Sequence, residues 1–239
     1  AAKHGLKMIE DAAQGLDARY RTRHLGTMGD CGVFSFHETK NVTCGEGGAL
    51  VLPDETLVAR AEILREKGTD RARFARGEVD KYTWVDVGSS FISSDLLAAY
   101  LYGQLEHLDR IRERRRQIHE RYSAALLPLY EHGIVDLQTW PAHCHPNYHM
   151  FHFLVGRAVH RADLIAHLAS RGILAVFHYV PLHLSPMGGQ LGYKPGDLPV
   201  TEDVASRLLR LPMYFDLTDD EGVVSALLDF LDQREAEAN

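Results

Sequence analysis

The chain holds 239 residues, 45% of them hydrophobic and 25% charged, which is ample apolar material for one large globular domain or two smaller ones. Its formal net charge of −7 disfavours general attraction to nucleic acid or anionic membrane, and no run of some eighteen apolar residues is present to span a bilayer. Three irregularly spaced cysteines, Cys31, Cys44 and Cys144, argue against a disulfide framework; without a basic stretch leading into an apolar one at the start, a reduced, cytoplasmic setting is expected.

The opening residues, AAKHGLKMIED, read as the tail of a helix, a glycine at its end and then a strand over 6–10 that stops at Asp11. That is the second half of a βαβ crossover, so the chain is expected to be the C-terminal portion of a longer polypeptide. CGVFSFH (31–37) and GALVLP (48–53) read as two further strands, the latter bounded by glycines and Pro53. ETLVARAEILREKG (55–68) has helical spacing and ends at Gly68. Residues 69–93 are polar and aromatic without clean periodicity, the mark of a functional or interface loop. From Ser94-Asp95 the pattern is helical to about Tyr130, with a bend near Leu108-Asp109. After Pro141 a smaller α+β unit follows: a strand at 148–156, a helix at 161–172, a strand at 174–180, a helix at 201–211 capped by Thr201, and a closing helix at 218–232. The boundary is placed at 108, giving the rest of a large α/β domain (1–108), then a connecting helix and a small domain (109–239).

FSFHETKNVTCGEGG (34–48) puts Lys40 between two predicted strands, among small and polar residues and ahead of a turn of glycines. Three features suit pyridoxal phosphate. The cofactor needs an ε-amine for its Schiff base, which Lys40 supplies. It needs a carboxylate to keep its ring nitrogen protonated, and Asp11 ends a strand where open α/β sheets place ligand groups. Its phosphate needs donors, and Ser35 lies within five residues of the lysine. Taken singly, each has an ordinary reading as turn, surface or sheet residue.

The motifs IEDAAQG and GDCGVFSFHETKNVTCGEGGALV closely resemble, in order and along essentially the whole chain, the DegT/DnrJ/EryC1/StrS sugar aminotransferases. The stretches REKGTDRARFARGEVDKYTWVDVGSS and AVFHYVPLH resemble the subgroup that makes dTDP-4-amino-4,6-dideoxygalactose. The resemblance implies an aspartate-aminotransferase fold of type I, here the C-terminal part of its large mixed-sheet domain plus the small domain. It implies that Lys40 carries the cofactor, Asp11 partners the pyridinium nitrogen, Gln14 sits near the phenolic oxygen and Ser35 donates to the phosphate. It further implies L-glutamate as amino donor, C4 of a dTDP-4-keto-6-deoxyhexose as acceptor, surface polysaccharide synthesis and a homodimer with shared sites. The family's phosphate loop and ring-stacking aromatic fall outside these residues. Where several relatives carry an asparagine for the neighbouring subunit's phosphate, this chain reads GSSFISSD, with Ile92 near that place and Ser90 or Ser93 as substitutes. A dehydratase of the same family has histidine at the lysine position, which Lys40 disfavours; an inactive fragment serving only in dimerisation is the remaining alternative.

Other signals have two readings each. Arg71, Arg73, Arg76 and Lys81, with Tyr82 and Trp84, suit a diphosphate and a stacked base, or pairing with acids across a dimer interface. His183 in HYVPLH suits sugar contact or a core or interface place. His143, His145, His149 and His152 match no standard zinc spacing, and no metal is expected; His149 is taken as structural. RIRERRR (110–116) reads as the solvated side of a connecting helix rather than a nucleic-acid surface.

Overall fold

A computed structural model describes residues 1–238. The chain opens with a 3₁₀ turn closed by Gly5 in the left-handed region, then runs through β1 (Ile9–Asp11), β2 (Arg19–Tyr20), β3 (Arg23–His24), β4 (Cys31–Ser35) and β5 (Gly48–Val51). Helices α1 (Val58–Arg65), α2 (Arg71–Ala75), α3 (Asp95–Glu106) and α4 (Leu108–Glu131) follow. Next come β6 (Val135–Leu137), β7 (Cys144–His145), β8 (Phe151–Val155), α5 (Arg161–Ser170), α6 (Pro186–Gln190), α7 (Pro199–Arg207), β9 (Leu208–Leu211) and α8 (Asp220–Ala238). Among the described residues no helix is long and apolar enough to cross a membrane.

The chain forms two compact units. One comprises Ala1–Ile111 with Ala142–His149, the other Arg112–Pro141 with Met150–Asn239. The sequence reading drew its line at 108; the chain passes from one unit to the other after Ile111, and residues 142–149 return to the first.

In the first unit β1 and β4 run parallel and β5 pairs antiparallel with β4, in the order β1-β4-β5. Asp11 lies opposite Val33, so Asp11 and Ser35 both stand at the carboxyl edge of the parallel pair. A second small sheet joins β3, β2 and β7, none of which the sequence periodicity reveals, since each strand is two residues long. Gly32 packs against the backbone of Gly26 so closely that a Cβ there would lie 2.1 Å from the Gly26 carbonyl oxygen. The loop over 26–29 is held from below by Glu10, whose carboxylate accepts N–H bonds from Gly26, Met28 and Gly29.

The segment 69–93, predicted as a loop, contains α2 and is tied down along its length. Ser89 donates to the Leu64 carbonyl, Phe91 to that of Arg65 and Val85 to that of Gly68, and Asp70 accepts from Thr83 N–H. The bend between the two long helices falls at His107, the C-cap of α3.

The second unit is a three-stranded antiparallel sheet, β6-β8-β9, with one face packed on helices. Phe151, Phe153 and Val155 from β8 point into a core with Ile118, Tyr122 and Leu126 of α4, Leu164 and Leu168 of α5, and Leu227 and Leu231 of α8. Period-2 burial along β8 and helical spacing along α4, α5 and α8 are what close this core.

Three expectations are corrected here. The helix predicted at 201–211 begins at Pro199, whose locked φ suits the first turn, so Thr201 lies inside the helix and caps nothing. Its last four residues are strand β9: Leu209 and Leu211 are buried and alternate with Leu208 and Arg210, a period-2 pattern that pairing with β8 selects over the helical one. The strand predicted at 174–180 reduces to a single bridge from Val176 to Arg210, because Tyr179 takes a positive φ of 46° and Pro181 follows directly after Val180. The arginines of RIRERRR are not all solvated. Arg115 is buried and donates to the Met213 carbonyl, and Arg114 donates to the Leu217 carbonyl and Asp220. Burial draws the Arg115 guanidinium down to about 10. Arg110 is exposed as expected, and Arg116 lies at the surface between Glu113 and Glu120.

Candidate active site

Lys40 sits in the closed loop between β4 and β5. The ladder continues past β4 through Phe36 N–H to the Gly47 carbonyl and Glu38 N–H to that of Gly45, at 2.8 and 2.9 Å. Cys44 N–H returns to the Phe36 carbonyl at 2.9 Å, and the Thr43 hydroxyl donates to the same carbonyl at 3.1 Å. From outside the loop, Gln104 of α3 accepts from Thr43 N–H at 3.0 Å. Phe36, Val42 and Cys44 are buried, packed with Leu97, Leu101, Leu108 and Ile111. The loop is therefore anchored on both sides of Lys40, and the glycines have definite tasks. Gly45 adopts φ +85°, and Gly47 lies so close that an added Cβ would be 2.5 Å from Cys44 Sγ.

Lys40 opens onto a cleft lined also by Ser35, Gln14, Asn41, Asn147 and His149. Of the residues singled out from sequence, Lys40, Ser35 and Gln14 are thus brought together. Asp11 is not among the lining residues; it ends β1 two residues before Ala13, whose N–H donates to Asp11 Oδ1 at 3.1 Å. Ser35 Oγ accepts from His37 N–H at 3.3 Å. The cleft brings together one primary amine, one hydroxyl, three carboxamides and an imidazole at the carboxyl edge of parallel strands, with a carboxylate ending the neighbouring strand. That set fits a flat aromatic aldehyde bearing a phosphate and a basic ring nitrogen.

Two residues of this cleft escaped the sequence reading, and a third, His149, was given a structural role. Asn41 Nδ2 donates to the Asn147 carbonyl at 2.8 Å, and Asn41 Oδ1 faces His149 Nδ1 at 3.0 Å. Asn147, itself buried, donates to the carbonyls of Gln14 at 2.7 Å and Leu16 at 2.9 Å. These contacts span more than a hundred residues, so no local pattern carries them; the adjacency of Asn41 to Lys40 was the available signal.

The remaining candidates lie elsewhere. Arg71 pairs with Glu66 at 2.9 Å, and its guanidinium stands 5.8 Å from the centre of the Tyr82 ring. Arg76 binds both oxygens of Glu62 and one of Glu78, and Arg73 pairs with Glu78. These arginines are matched by acids of their own chain. His183, in the second unit, is buried and bonded to Glu202 at 2.9 Å. His143 sits edge-on to Tyr20, His145 pairs with Arg19 and His152 opposes Arg210, so the four histidines of 143–152 have separate surroundings. Among the described residues no three His, Cys, Asp or Glu side chains are grouped to hold a metal ion.

Residues 1–228 match the DegT/DnrJ/EryC1/StrS aminotransferase family. The chain belongs to that family. It is 34% identical over 234 residues to a pleiotropic regulatory protein of Geobacillus stearothermophilus, covering 96% of this chain and 59% of the relative. It is 35% identical over 215 residues to the dTDP-3-amino-3,4,6-trideoxy-alpha-D-glucose transaminase of Streptomyces venezuelae, covering 89% and 53%. The crystal structure of S. venezuelae DesV in complex with a ketimine intermediate superposes with a TM-score of 0.82 at 33% identity, covering 97% of this chain and 60% of that one. The chain thus spans somewhat over half the length of the curated relatives it matches. Its fold is the mixed α/β fold of sugar aminotransferases, and the cofactor of the family is pyridoxal 5'-phosphate.

Proposed function

We propose that the full-length protein is a cytoplasmic, homodimeric transaminase that moves the amino group of L-glutamate to C4 of a dTDP-4-keto-6-deoxyhexose. The product is then dTDP-4-amino-4,6-dideoxygalactose, destined for surface polysaccharide. One observation carries the reading: Lys40, on a loop anchored at both ends, shares a cleft with Ser35 and Gln14 in a chain of this family. In this reading the unit containing residues 1–111 bears the cofactor, and exposed Trp84, Phe91 and Leu96 support a face for a second copy.

Bound pyridoxal phosphate supplies an electron sink that makes the α-proton of an amino acid removable. Lys40 Nζ would hold the cofactor, and as a free amine it would take up that proton and give it back. Asp11 would keep the ring nitrogen protonated, Ser35 Oγ would donate to the phosphate and Gln14 would hydrogen-bond the phenolic oxygen. Arg71 and Tyr82 are assigned to the nucleotide: the guanidinium retains N–H groups beyond the one given to Glu66, and the exposed ring offers a stacking face. His183, bonded to Glu202, is assigned to the core of its unit.

Incubating the full-length protein with dTDP-4-keto-6-deoxyglucose and L-glutamate should give 2-oxoglutarate and a 4-amino sugar whose C4 configuration NMR assigns as galacto. Lys40→Ala should abolish both turnover and the visible absorbance of lysine-bound cofactor; sustained transamination by that variant would overturn the reading. Asp11→Asn should still bind cofactor yet lose most of its rate, and a near-normal rate would remove Asp11 from its place.

A further inference from the structure

Lys40 is followed directly by the residue that links its loop to the rest of the cleft. Asn41 has one orientation in which donor meets acceptor: Nδ2 faces the Asn147 carbonyl, so Oδ1 faces His149 and Nδ1 of that imidazole carries its proton. Asn147 in turn spends both amide hydrogens on the carbonyls of Gln14 and Leu16. Between them Tyr148 takes a positive φ of 53°, a conformation disfavoured for a residue with a Cβ. With that backbone, the Asn147 carbonyl and the His149 ring both reach the side chain of Asn41.

We infer that Asn41 and Asn147 are positioning residues for Lys40, and that residues 147–149 form a clamp fixing the lysine loop against the segment carrying Gln14. The inference rests on the reading of Lys40 as the cofactor-bearing lysine. Six hydrogen-bonding groups of the clamp are engaged with one another: two side-chain amides, one imidazole and the carbonyls of Asn147, Gln14 and Leu16. The loop anchors described above fix Phe36, Val42 and Cys44 from the side of the sheet and α3. The clamp restrains the residue beside Lys40 from the cleft side, through Asn41. A displacement of about 1 Å in a reacting group costs on the order of a hundredfold in rate, so such a restraint has kinetic consequences.

The test is competitive acetylation of the full-length, cofactor-free protein, with the rate at Lys40 read by peptide mass spectrometry against exposed Lys81 and Lys194 as internal references. In the wild type Lys40 should label at a rate distinct from the references. In Asn147→Leu the ratio should move towards theirs by at least about threefold. Asn41→Leu, at a half-buried position that leaves the Asn147 bonds to Gln14 and Leu16 in place, should do the same and guards against a folding defect in the first variant. In loaded enzyme Asn41→Leu should lower kcat about tenfold or more while KM for the donor stays within about twofold. A Lys40 that labels like the references in the wild type, or a ratio unchanged in both variants, overturns the clamp. Because the labelling uses cofactor-free protein, that result leaves the transaminase reading standing, and the Lys40→Ala experiment decides the latter independently.

Discussion

At the scale of single residues, the lysine loop shows why small side chains surround Lys40. Gly47 has backbone φ that other residues accept, yet it lies against Cys44 Sγ, which is itself buried and donates to the Glu46 carbonyl at 3.3 Å. Gly47→Ala should therefore destabilise the protein by about 1–3 kcal/mol through overpacking, read as a lowered urea midpoint. An unchanged midpoint would mean the loop yields without cost. Glu10 works differently. Burial opposes its charge, but the N–H groups of Gly29, Met28 and Gly26 outweigh that, with help from Arg23, and hold the carboxyl below the usual carboxylate range. With a folded pKa below the unfolded one, the stability it adds is present above the unfolded value and is lost as pH falls through the folded one. Glu10→Gln should flatten the acid limb of a stability–pH profile; an acid limb as steep as the wild type's would count against this. The sequence pointed to Lys40, Ser35 and Asp11 because cofactor chemistry needs those groups near strand ends. It was silent on Asn147 and Glu10, whose importance lies in backbone groups that only folding brings to them.

At the scale of elements, ambiguity was greatest where one stretch satisfied two periodicities. TEDVASRLLRL reads as one helix, yet its last four residues form β9 because β8 offers them a ladder and a core. Thr201→Ala tests the point. A cap lost would cost about 1 kcal/mol, whereas an exposed residue within the helix should change stability by less than about 0.5 kcal/mol, measured by urea denaturation. Helix α4 carries a second test. His119 is buried beside Trp140 and Phe151, within reach of Ser123 and Gln138, and desolvation pulls its pKa down to about 4. Its folded pKa lies below its unfolded one, so the unfolded state binds the extra proton first. Stability should fall as pH drops from about 6.5 towards 4, by up to about 1.4 kcal/mol per pH unit, and His119→Gln should lose that slope. A wild-type profile level over that range would contradict the burial argument.

At the scale of the whole molecule, apolar burial is uneven. The second unit holds a continuous core of aromatic and aliphatic side chains from α4, β8, α5, β9 and α8. The first unit's core is the small group around Phe36, Val42 and Cys44, while Leu6, Ile9, Trp84, Val87 and Leu96 stand exposed. In the isolated chain, amides of β4 and β5 should therefore lose hydrogen-exchange protection at lower urea than those of β8 and β9. Coincident loss would show that the two units unfold as one.

The primary structure alone determined which groups are candidates for the chemistry, and the broad architecture. An amine, a hydroxyl and a carboxylate at strand ends, set among alternating apolar runs and amphipathic helices, are local features governed by nearest-neighbour spacing. Tertiary structure decided the partners: β9 over helix, Arg115 inward rather than outward, and residues 142–149 returning to close the cleft on Gln14 and Asn41. Those outcomes depend on which distant backbone group is left without a hydrogen bond and which apolar face is left without cover, and neither is written within a window of neighbouring residues.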